Sequence, residues 1–383
     1  MSRNLNKKIA EIFTNIADAI ESGSFAERKR IGLTILGSEH PISELVRGAE
    51  LASEKYSDLE IVLIGEGAET DLEMLPAKDL DECHKVMEKA LAEGVIHGCV
   101  TLHYNFPLGV STVGRLITPG RGKEMILATT TGTSDTERVA GMVKNAIYGV
   151  AVAKSLGNKN PKIGILNIDG ANPTGRKLKE LKENGYEIDF AESARRDGGI
   201  TMRGNDLLVG TPDVMVCDTL TGNLLMKMFS SFTTGGSYEA SGYGYGPGIG
   251  ENFDSVISII SRASGAPVIC EALRYNADAV SGKVFDILKK EFDSARKAGL
   301  DEILKPAVKE AVTKEVVCPP KKVVSEQIPG IDILEIEEAK EELWEEKIYA
   351  ETGMGCTGPI IIVAKEDLES AKKVLAAAKY ISA

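Results

Sequence analysis

The chain has 383 residues, 43% of them hydrophobic, and a formal net charge of −12 at pH 7. This length is enough for one large or two ordinary domains with a full hydrophobic core. The acidic charge argues against nucleic acid or an anionic membrane as the main partner, and the longest apolar runs fall well short of the roughly 20 residues that span a bilayer. The six cysteines lack metal-ligand spacing, and no signal-peptide pattern precedes the first helical stretch. We therefore expect a cytoplasmic protein with reduced thiols and no bound metal.

Short β-branched apolar runs alternate with amphipathic stretches along most of the chain. This alternation predicts an α/β protein, a three-layer α/β/α fold with a mostly parallel sheet. The predicted strands are 31–36, 60–64, 94–100, 125–130, 162–168, 214–217, 266–271 and 360–364. The predicted helices are 41–55, 81–91, 136–156, 175–183, 222–229 and 367–380, and Ser134-Asp-Thr-Glu137 has the spacing of a capping box before the third.

Two segments depart from the strand–helix alternation. Residues 1–30 have helical periodicity without a strand pattern, and residues 296–346 are acidic and helix-forming with a Cys318-Pro-Pro320 break. We therefore expect four parts: a helical extension (1–30), an α/β core (31–295), an acidic and mostly helical segment (296–346), and a C-terminal strand and helix packed on the core (347–383).

The loops that follow predicted strands carry polar residues, and ligands of parallel sheets bind at such loops. Two of them, Asp169 to Lys177 and Asp218 to Asn223, lead into helices and contain or precede cations. A helix N-terminus beside a Lys or Arg is a phosphate site, although Asp, Thr and Asn at these positions can also simply cap the helix. No Walker A or dinucleotide fingerprint is present, so we expect no nucleotide cofactor.

A cysteine lies in a glycine-rich run near the C-terminus. Cys356 stands within Gly353-Met-Gly355-Cys-Thr357-Gly358, directly ahead of the apolar run 360–364. Glycines can turn several N–H groups toward one point, so the loop can hold a thiolate, an oxyanion or a phosphate. A field of about 2 kcal/mol lowers a thiol pKa enough to make it about half ionised at pH 7. The alternative is a tight turn before a buried strand, with the cysteine there by chance.

Two further features leave alternatives open. Cys99 ends a predicted strand between His97 and His103, so it is either a candidate second thiol or a small core residue. The run 235–250 is rich in glycine and tyrosine, which predicts either a mobile lid over the site or a surface loop.

Four blocks of the chain resemble the phosphate acyltransferases of the PlsX family. They are Ile31-Gly-Leu-Thr-Ile with Gly37-Ser-Glu-His40-Pro41, then Val113-Gly-Arg115, then Lys162-Ile-Gly-Ile-Leu-Asn167, and Val214-Met-Val-Cys-Asp218 running into Thr221-Gly222-Asn223. That family converts acyl carrier protein thioesters and phosphate into acyl phosphates. The resemblance implies a PlsX-like or isopropylmalate-dehydrogenase-like sheet and a homodimeric core.

Two departures from the PlsX pattern resemble another family, the alpha subunits of component C of glycine/sarcosine/betaine reductase. They are Thr101-Leu-His103-Tyr-Asn105 before the Gly-Arg block and the Gly-Met-Gly-Cys-Thr-Gly-Pro ending, and this likeness covers almost the whole chain. That family belongs to amino-acid-fermenting anaerobes and forms acetyl phosphate. The resemblance implies a component C beta subunit as partner and an indirect link to the selenoprotein component A.

The resemblance implies a mechanism in which phosphate attacks an acetyl thioester on Cys356 and the thiolate is regenerated. Gly353, Gly355, Thr357 and Gly358 would supply oxyanion donors. Phosphate would lie at the Thr221-Gly222-Asn223 helix start, with Lys227, Arg176 or Arg115 as charge partners. Two alternatives remain at this stage: a free-standing enzyme acting on acyl carrier protein or coenzyme A thioesters, and a scaffolding subunit that has lost its chemistry.

Overall fold

A computed structural model of the chain describes residues 13–14, 16–17, 20, 28–195, 198–305, 316–355 and 358–381. The helical extension expected at 1–30 therefore lies mostly outside the described residues, although Phe13, Ile16 and Ile20 are helical. Within the described ranges, no helix combines the length and the apolar character that crossing a bilayer requires.

The elements follow one another from Lys29 to Ala377. The strands are β1 (Lys29–Thr34), β2 (Leu59–Ile64), β3 (Glu73–Leu75), β4 (Gly98–Thr101), β5 (Val110–Ile117), β6 (Glu124–Thr133), β7 (Lys162–Leu166), β8 (Asp189–Phe190), β9 (Thr201–Met202), β10 (Val214–Val216), β11 (Gly246–Ile249), β12 (Ile257–Ile259), β13 (Glu326–Pro329), β14 (Ala350–Gly355) and β15 (Gly358–Val363). The helices are α1 (Ile42–Lys55), α2 (Leu80–Ala92), α3 (Arg138–Ser155), α4 (Ala171–Glu183), α5 (Gly204–Val209), α6 (Thr219–Ser230), α7 (Ala266–Ser281), α8 (Val284–Lys297), α9 (Leu300–Ile303), α10 (Ile336–Glu345) and α11 (Leu368–Ala377), the last preceded by a 3₁₀ turn.

One twelve-stranded sheet forms the centre of the molecule. Its order is β3-β2-β1-β4-β12-β11-β5-β6-β10-β7-β8, and β9 also pairs with β7. Most neighbours are parallel, which confirms the predicted fold class. The strand interiors are apolar because both faces are covered, as in β1, where Ile31 and Leu33 are buried.

The middle of this sheet is antiparallel, which the sequence did not predict. β11 runs antiparallel to β12 and to β5, and β5 runs antiparallel to β6. These three reversals make β6, β10 and β7 run opposite to β1, β4 and β12. The carboxyl ends of the two halves therefore belong to opposite edges of the sheet. The His40 turn after β1 and the Asp169 and Asp218 loops after β7 and β10 do not share one edge.

A small C-terminal unit packs beside the sheet. Its three strands have the order β13-β15-β14, all antiparallel, and α10 and α11 cover them. Its core is a separate apolar cluster that includes Ile328, Leu343, Ile361 and Leu375. β13 and α10 thus belong with the C-terminal strands, rather than with a separate 296–346 segment as expected.

Two local predictions are wrong. Residues 266–271, predicted as a strand, begin the buried helix α7, and Pro267 stands in its first turn. The N-cap of α3 is Glu137, which accepts hydrogen bonds from Val139 and Ala140, so the predicted capping box is absent. In the run 235–250, for which a lid and a surface loop were both open, residues 246–249 enter the sheet as β11 and Tyr245 is buried just before them.

Candidate functional site

A cleft of about 820 Å³ opens between the carboxyl end of β7 and the C-terminal unit. Arg195, Arg203 and Lys372 bring three positive charges to its lining, against two carboxylates, Asp169 and Asp332. The balance is positive in a chain whose net charge is −12. The remaining lining comes from Asn167, Ile168, Asn172, Gly198, Gly199, Thr201, Ile328, Pro329, Gly330, Ile331, Ile333, Pro359 and Ile381.

Polar contacts hold the C-terminal unit against the start of α4. The Gly170 N–H donates to Asp332 Oδ2 at 2.9 Å, and the Asn172 side chain donates to the Gly330 carbonyl at 2.7 Å. Asp332 is buried, and a carboxylate is the group that a helix N-terminus favours. The loop predicted from the sequence as a phosphate site is therefore occupied at this point by a carboxylate of the protein itself.

Arg176, predicted as a phosphate partner, reinforces the same contact. Its guanidinium forms a salt bridge with Glu335 of the C-terminal unit. Both side chains are partly buried, so the pair joins the core to the C-terminal unit and engages the charge of the arginine.

The Thr221 turn lies at the N-terminus of α6, as predicted, but its donors are engaged. The Asp218 carboxylate accepts from the Thr221 N–H at 3.0 Å and from the Thr221 hydroxyl at 2.8 Å, and the Gly222 N–H donates to the Asp218 carbonyl. Burial raises the pKa of Asp218, but the hydrogen bonds from Thr221 and the charge of Arg138 outweigh it, so the pKa is lower than usual. Asn223 is exposed at the same turn.

Gly222 has a packing role. A Cβ at this position would lie 1.8 Å from the carbonyl oxygen of Thr129 on β6. Real Cβ atoms do not approach a carbonyl this closely, so only glycine lets α6 lie against β6 here. The glycine of the Thr-Gly-Asn block is therefore explained by helix–sheet contact.

Arg138, which the sequence reasoning missed, connects the Thr221 turn to the cleft. Its Nε donates to the Asp169 carbonyl at 2.8 Å, and its terminal nitrogen lies 3.0 Å from Asp218 Oδ2. The loops after β7 and β10 are thereby tied together at one edge of the sheet. No motif or spacing in the sequence distinguishes Arg138 from an ordinary arginine in the first turn of a helix.

The structure places Lys227 and Arg115 away from this edge. Lys227 lies in the last turn of α6, about 9 Å along the helix axis from Thr221. Arg115 forms ion pairs with Glu124 and Asp278 and stacks 4.1 Å from the ring centroid of Tyr243. The charge of Arg115 is therefore paired within the fold. Neither Arg115 nor Lys227 lies at the Thr221 turn.

Cys356 and Thr357 lie outside the described residues. On either side of them, β14 ends at Gly355 and β15 begins at Gly358, and these two glycines pair across the hairpin. Gly353 likewise pairs with Ile360, so the glycines expected in a loop belong to strands. Within the described residues β14 is an edge strand, so alternate N–H groups along it have no neighbouring strand to pair with. Pro359, three residues after Cys356, lines the cleft.

Cys99 does not have the character of a second reactive thiol. It is fully buried on β4, and its sulfur would lie 2.9 Å from a Cβ at Gly32 of the neighbouring strand. Burial raises the pKa of its thiol well above the usual value, whereas a reactive cysteine needs a lowered pKa. Cys99 is a core residue.

Arg195, Arg203 and Lys372 are the cleft cations that sequence reasoning missed. The Arg203 backbone N–H donates to Asp206 in the N-terminal capping of α5, and Arg203 lines the cleft. Lys372 lies on α11 of the C-terminal unit and forms an ion pair with Glu369 at 3.3 Å. No group of three His, Cys, Asp or Glu side chains that could hold a metal occurs within the described ranges.

Comparison with protein families gives one match over most of the chain. The model of a family described as "Fatty acid synthesis protein" matches residues 29–362. The match covers all of the central sheet and reaches β15 of the C-terminal unit.

Individual proteins extend this comparison. The chain is 54% identical over 376 residues to the glycine/sarcosine/betaine reductase complex component C subunit alpha of Peptoclostridium acidaminophilum. The alignment covers 97% of this chain and 98% of that protein. It is 27% identical over 232 residues to the phosphate acyltransferase of Thermotoga maritima, covering 52% of this chain and 68% of that protein. Among solved structures, a branched-chain phosphotransacylase from Enterococcus faecalis is 17% identical with a TM-score of 0.44, covering 65% of this chain and 99% of that one.

Proposed function

This chain belongs to the fatty acid synthesis protein family, together with the component C alpha subunit of glycine/sarcosine/betaine reductase, and we propose that it transfers an acyl group to inorganic phosphate. The acyl group in this proposal is acetyl, carried as a thioester on Cys356. The product is acetyl phosphate. The observation that carries the proposal is the cleft: it is lined by more cations than carboxylates and by Pro359, three residues from Cys356.

The proposed reaction balances without a cofactor. A phosphate oxygen attacks the carbonyl carbon of the Cys356 thioester and forms a tetrahedral intermediate. The carbon–sulfur bond then breaks, its electron pair stays on sulfur, and acetyl phosphate departs. Phosphate is already ionised at neutral pH, so the step requires no strong general base. A thiolate is a good leaving group, which is the advantage of covalent catalysis by cysteine.

Phosphate in this proposal binds to the cleft cations Arg203 and Lys372, with Arg195 beside them. This revises the expectation from sequence, because the N–H groups of Thr221 and Gly222 are engaged by Asp218. Unpaired N–H groups along the edge of β14 are the proposed donors to the oxyanion.

The proposed setting is a cytoplasmic complex with a component C beta subunit, linked indirectly to a selenoprotein component A. This part of the proposal rests on the 54% identity over nearly the whole chain.

The test is isotope exchange catalysed by the full chain alone. Labelled inorganic phosphate is incubated with unlabelled acetyl phosphate, and we expect label to appear in acetyl phosphate because the acetyl group returns from Cys356. Cys356→Ala should abolish this exchange, while Cys318→Ser, which changes an exposed cysteine elsewhere, should leave it unchanged.

Two results contradict the proposal. Absence of exchange in the wild-type chain favours a scaffolding role. Exchange that survives Cys356→Ala means that the acetyl group does not pass through this thiol.

A further inference from the structure

A second groove, of about 620 Å³, opens on the C-terminal unit and shares no residue with the cleft. The end of α10 forms one wall, and the segment that leads into β13 forms the other. The groove, called here the Trp344 groove, is lined mainly by Val316, Val317, Cys318, Pro319, Pro320 and Trp344. Val317 is 81% exposed. The volume lies within the range of about 300–1,000 Å³ that ligand sites have, and the lining is mostly apolar, so the groove suits an apolar occupant.

The sequence ahead of β1 contains a row of apolar residues that fits such a groove. The row consists of Leu5, Ile9, Ile12, Phe13, Ile16 and Ile20. This spacing predicts one face of an amphipathic helix. Phe13, Ile16 and Ile20 are helical in the structure, with exposed fractions of 67%, 36% and 74%. Three large side chains on one helix face are therefore uncovered, and helices of this kind dock by laying that face into an apolar groove.

Opposite charges favour this segment as the occupant. The first ten residues contain three cations, Arg3, Lys7 and Lys8, and no acidic side chain. Five of the ten residues of α10 are glutamates, and its one cation, Lys340, is paired with Glu337. The wall that α10 gives to the groove therefore attracts a segment with a basic start, and it repels the acidic segments that predominate in a chain of net charge −12.

The sheet topology brings the segment and the groove to the same edge. β7 runs opposite to β1, so the chain enters β1 at the edge where β7 ends. The C-terminal unit docks at that edge, on Gly170 and Asn172. β1 and β7 are seven steps apart in the sheet order, which is about 34 Å at a strand spacing of about 4.8 Å. Residues 21–28 can extend over about 27 Å, and a helix over 5–20 adds about 24 Å, so the row can reach the unit.

We propose that residues 5–20 dock as a helix in the Trp344 groove of the same chain, with Phe13 and Ile16 against the indole of Trp344. The docked segment joins the β1 half of the sheet to the C-terminal unit, in addition to the polar contacts at the start of α4. This docking is independent of the proposed acyl transfer, and either can fail without the other.

A disulfide tests the docking directly, because Cys318 already lines the groove. In a Cys356→Ala background, Ile16→Cys should form a disulfide with Cys318 on mild oxidation, identified by mass spectrometry in a product of single-chain mass. Asn15→Cys, one residue away and outside the row, is the matched control and should link at least about 10-fold more slowly, because docking raises the effective concentration of position 16 alone. Equal rates at the two positions, or a link that joins two chains, would overturn the proposal.

The fluorescence of Trp344 tests the same docking without a new thiol, because it is the single tryptophan of the chain. Ile16→Glu places a carboxylate in the apolar contact, and we expect the acrylamide quenching constant of Trp344 to rise about 2-fold as the segment leaves the groove. Asn15→Glu adds the same charge outside the row and should leave the quenching constant unchanged. A wild-type constant equal to that of Ile16→Glu would mean that the segment does not cover Trp344, and it would contradict the proposal.

Discussion

Single charged residues decide whether the cleft suits an anion. Three cations and two carboxylates line the cleft, and the Asp332 carboxylate already accepts a hydrogen bond from the N–H of Gly170. Arg203 and Lys372 come from opposite walls, one from the core and one from the C-terminal unit. A phosphate between them would be bound by charges that the sequence separates by 169 positions.

Replacing one of these cations should weaken phosphate binding. Lys372→Ala is expected to raise the KM for phosphate about 5- to 10-fold with little change in kcat, because an exposed charged contact contributes about 1 kcal/mol. Lys373→Ala removes the same charge from the next residue on α11, which does not line the cleft. Steady-state kinetics should therefore give this control variant the same KM for phosphate as the wild-type chain. Equal values of KM for both variants would remove Lys372 from the site.

At this scale the sequence indicates which residue types could act, but not where the fold places them. Cys356 is predicted from its glycine neighbours and stays a prediction, whereas Arg115 and Cys99, also selected from local patterns, are used inside the fold. Arg138 was missed because its partners, Asp169 and Asp218, come from loops that only the sheet brings together. Local spacing carries no information about such contacts.

At the scale of the element, α6 depends on its N-terminal carboxylate. Asp218 has a lowered pKa in the folded chain, so its contribution to stability is present above the unfolded pKa of about 3.9 and is lost as the pH falls through the folded value. Arg138 contacts both Asp218 and the loop after β7. Protonation of Asp218 therefore weakens the N-terminus of α6 and also the link from α6 to that loop.

Asp218→Asn should therefore lower the free energy of unfolding at pH 7 by about 1 kcal/mol, because asparagine keeps a capping oxygen but loses the charge that interacts with the helix N-terminus and Arg138. As the pH falls from 5 to below 4, the wild-type chain should lose more stability than the variant, so the free energies of unfolding of the two proteins should converge. Urea unfolding across this pH range measures both free energies, and Asp71→Asn, at an exposed carboxylate, is the control. A difference that stays constant with pH would show that the charge of Asp218 has no part in stabilising the helix.

Elements with strong periodicity were predicted well, and short glycine-rich ones were not. α1 and β2 follow their sequence patterns to within a residue or two. Residues 266–271 read as a strand because Val268, Ile269 and Cys270 form a short apolar run, yet they begin a buried helix. A buried helix and a buried strand have the same apolar composition over six residues, so Pro267 was the only local sign of a helix start.

At the scale of the whole molecule, the cleft exists because the C-terminal unit docks on the core. The sequence predicted the parallel halves of the sheet, since each repeats the strand–helix alternation. It did not predict the antiparallel middle formed by β5, β11 and β12, where the strands are short or interrupted by glycine. It also gave no sign that Asp332 would dock on the loop after β7, 162 residues away.

Weakening the contact between the C-terminal unit and the core should make both walls of the cleft less well ordered. Asp332→Ala removes the acceptor of the Gly170 N–H, and we expect the Gly170 amide to exchange with deuterium at least 10-fold faster. The rate of phosphate exchange should fall with it, since the cations of the two walls would no longer face each other. Asp301→Ala, at an exposed carboxylate on α9, is the control for both readouts. Unchanged amide exchange in Asp332→Ala would mean that other contacts hold the unit.

The central claim is that the sulfur of Cys356 carries the acetyl group. The chain is incubated with acetyl phosphate, quenched in acid and digested, and mass spectrometry locates the acetyl label. The account predicts a labelled peptide that contains Cys356, lost on addition of excess phosphate and absent from Cys356→Ala. A label found only on another cysteine, or one that persists in Cys356→Ala, would contradict it.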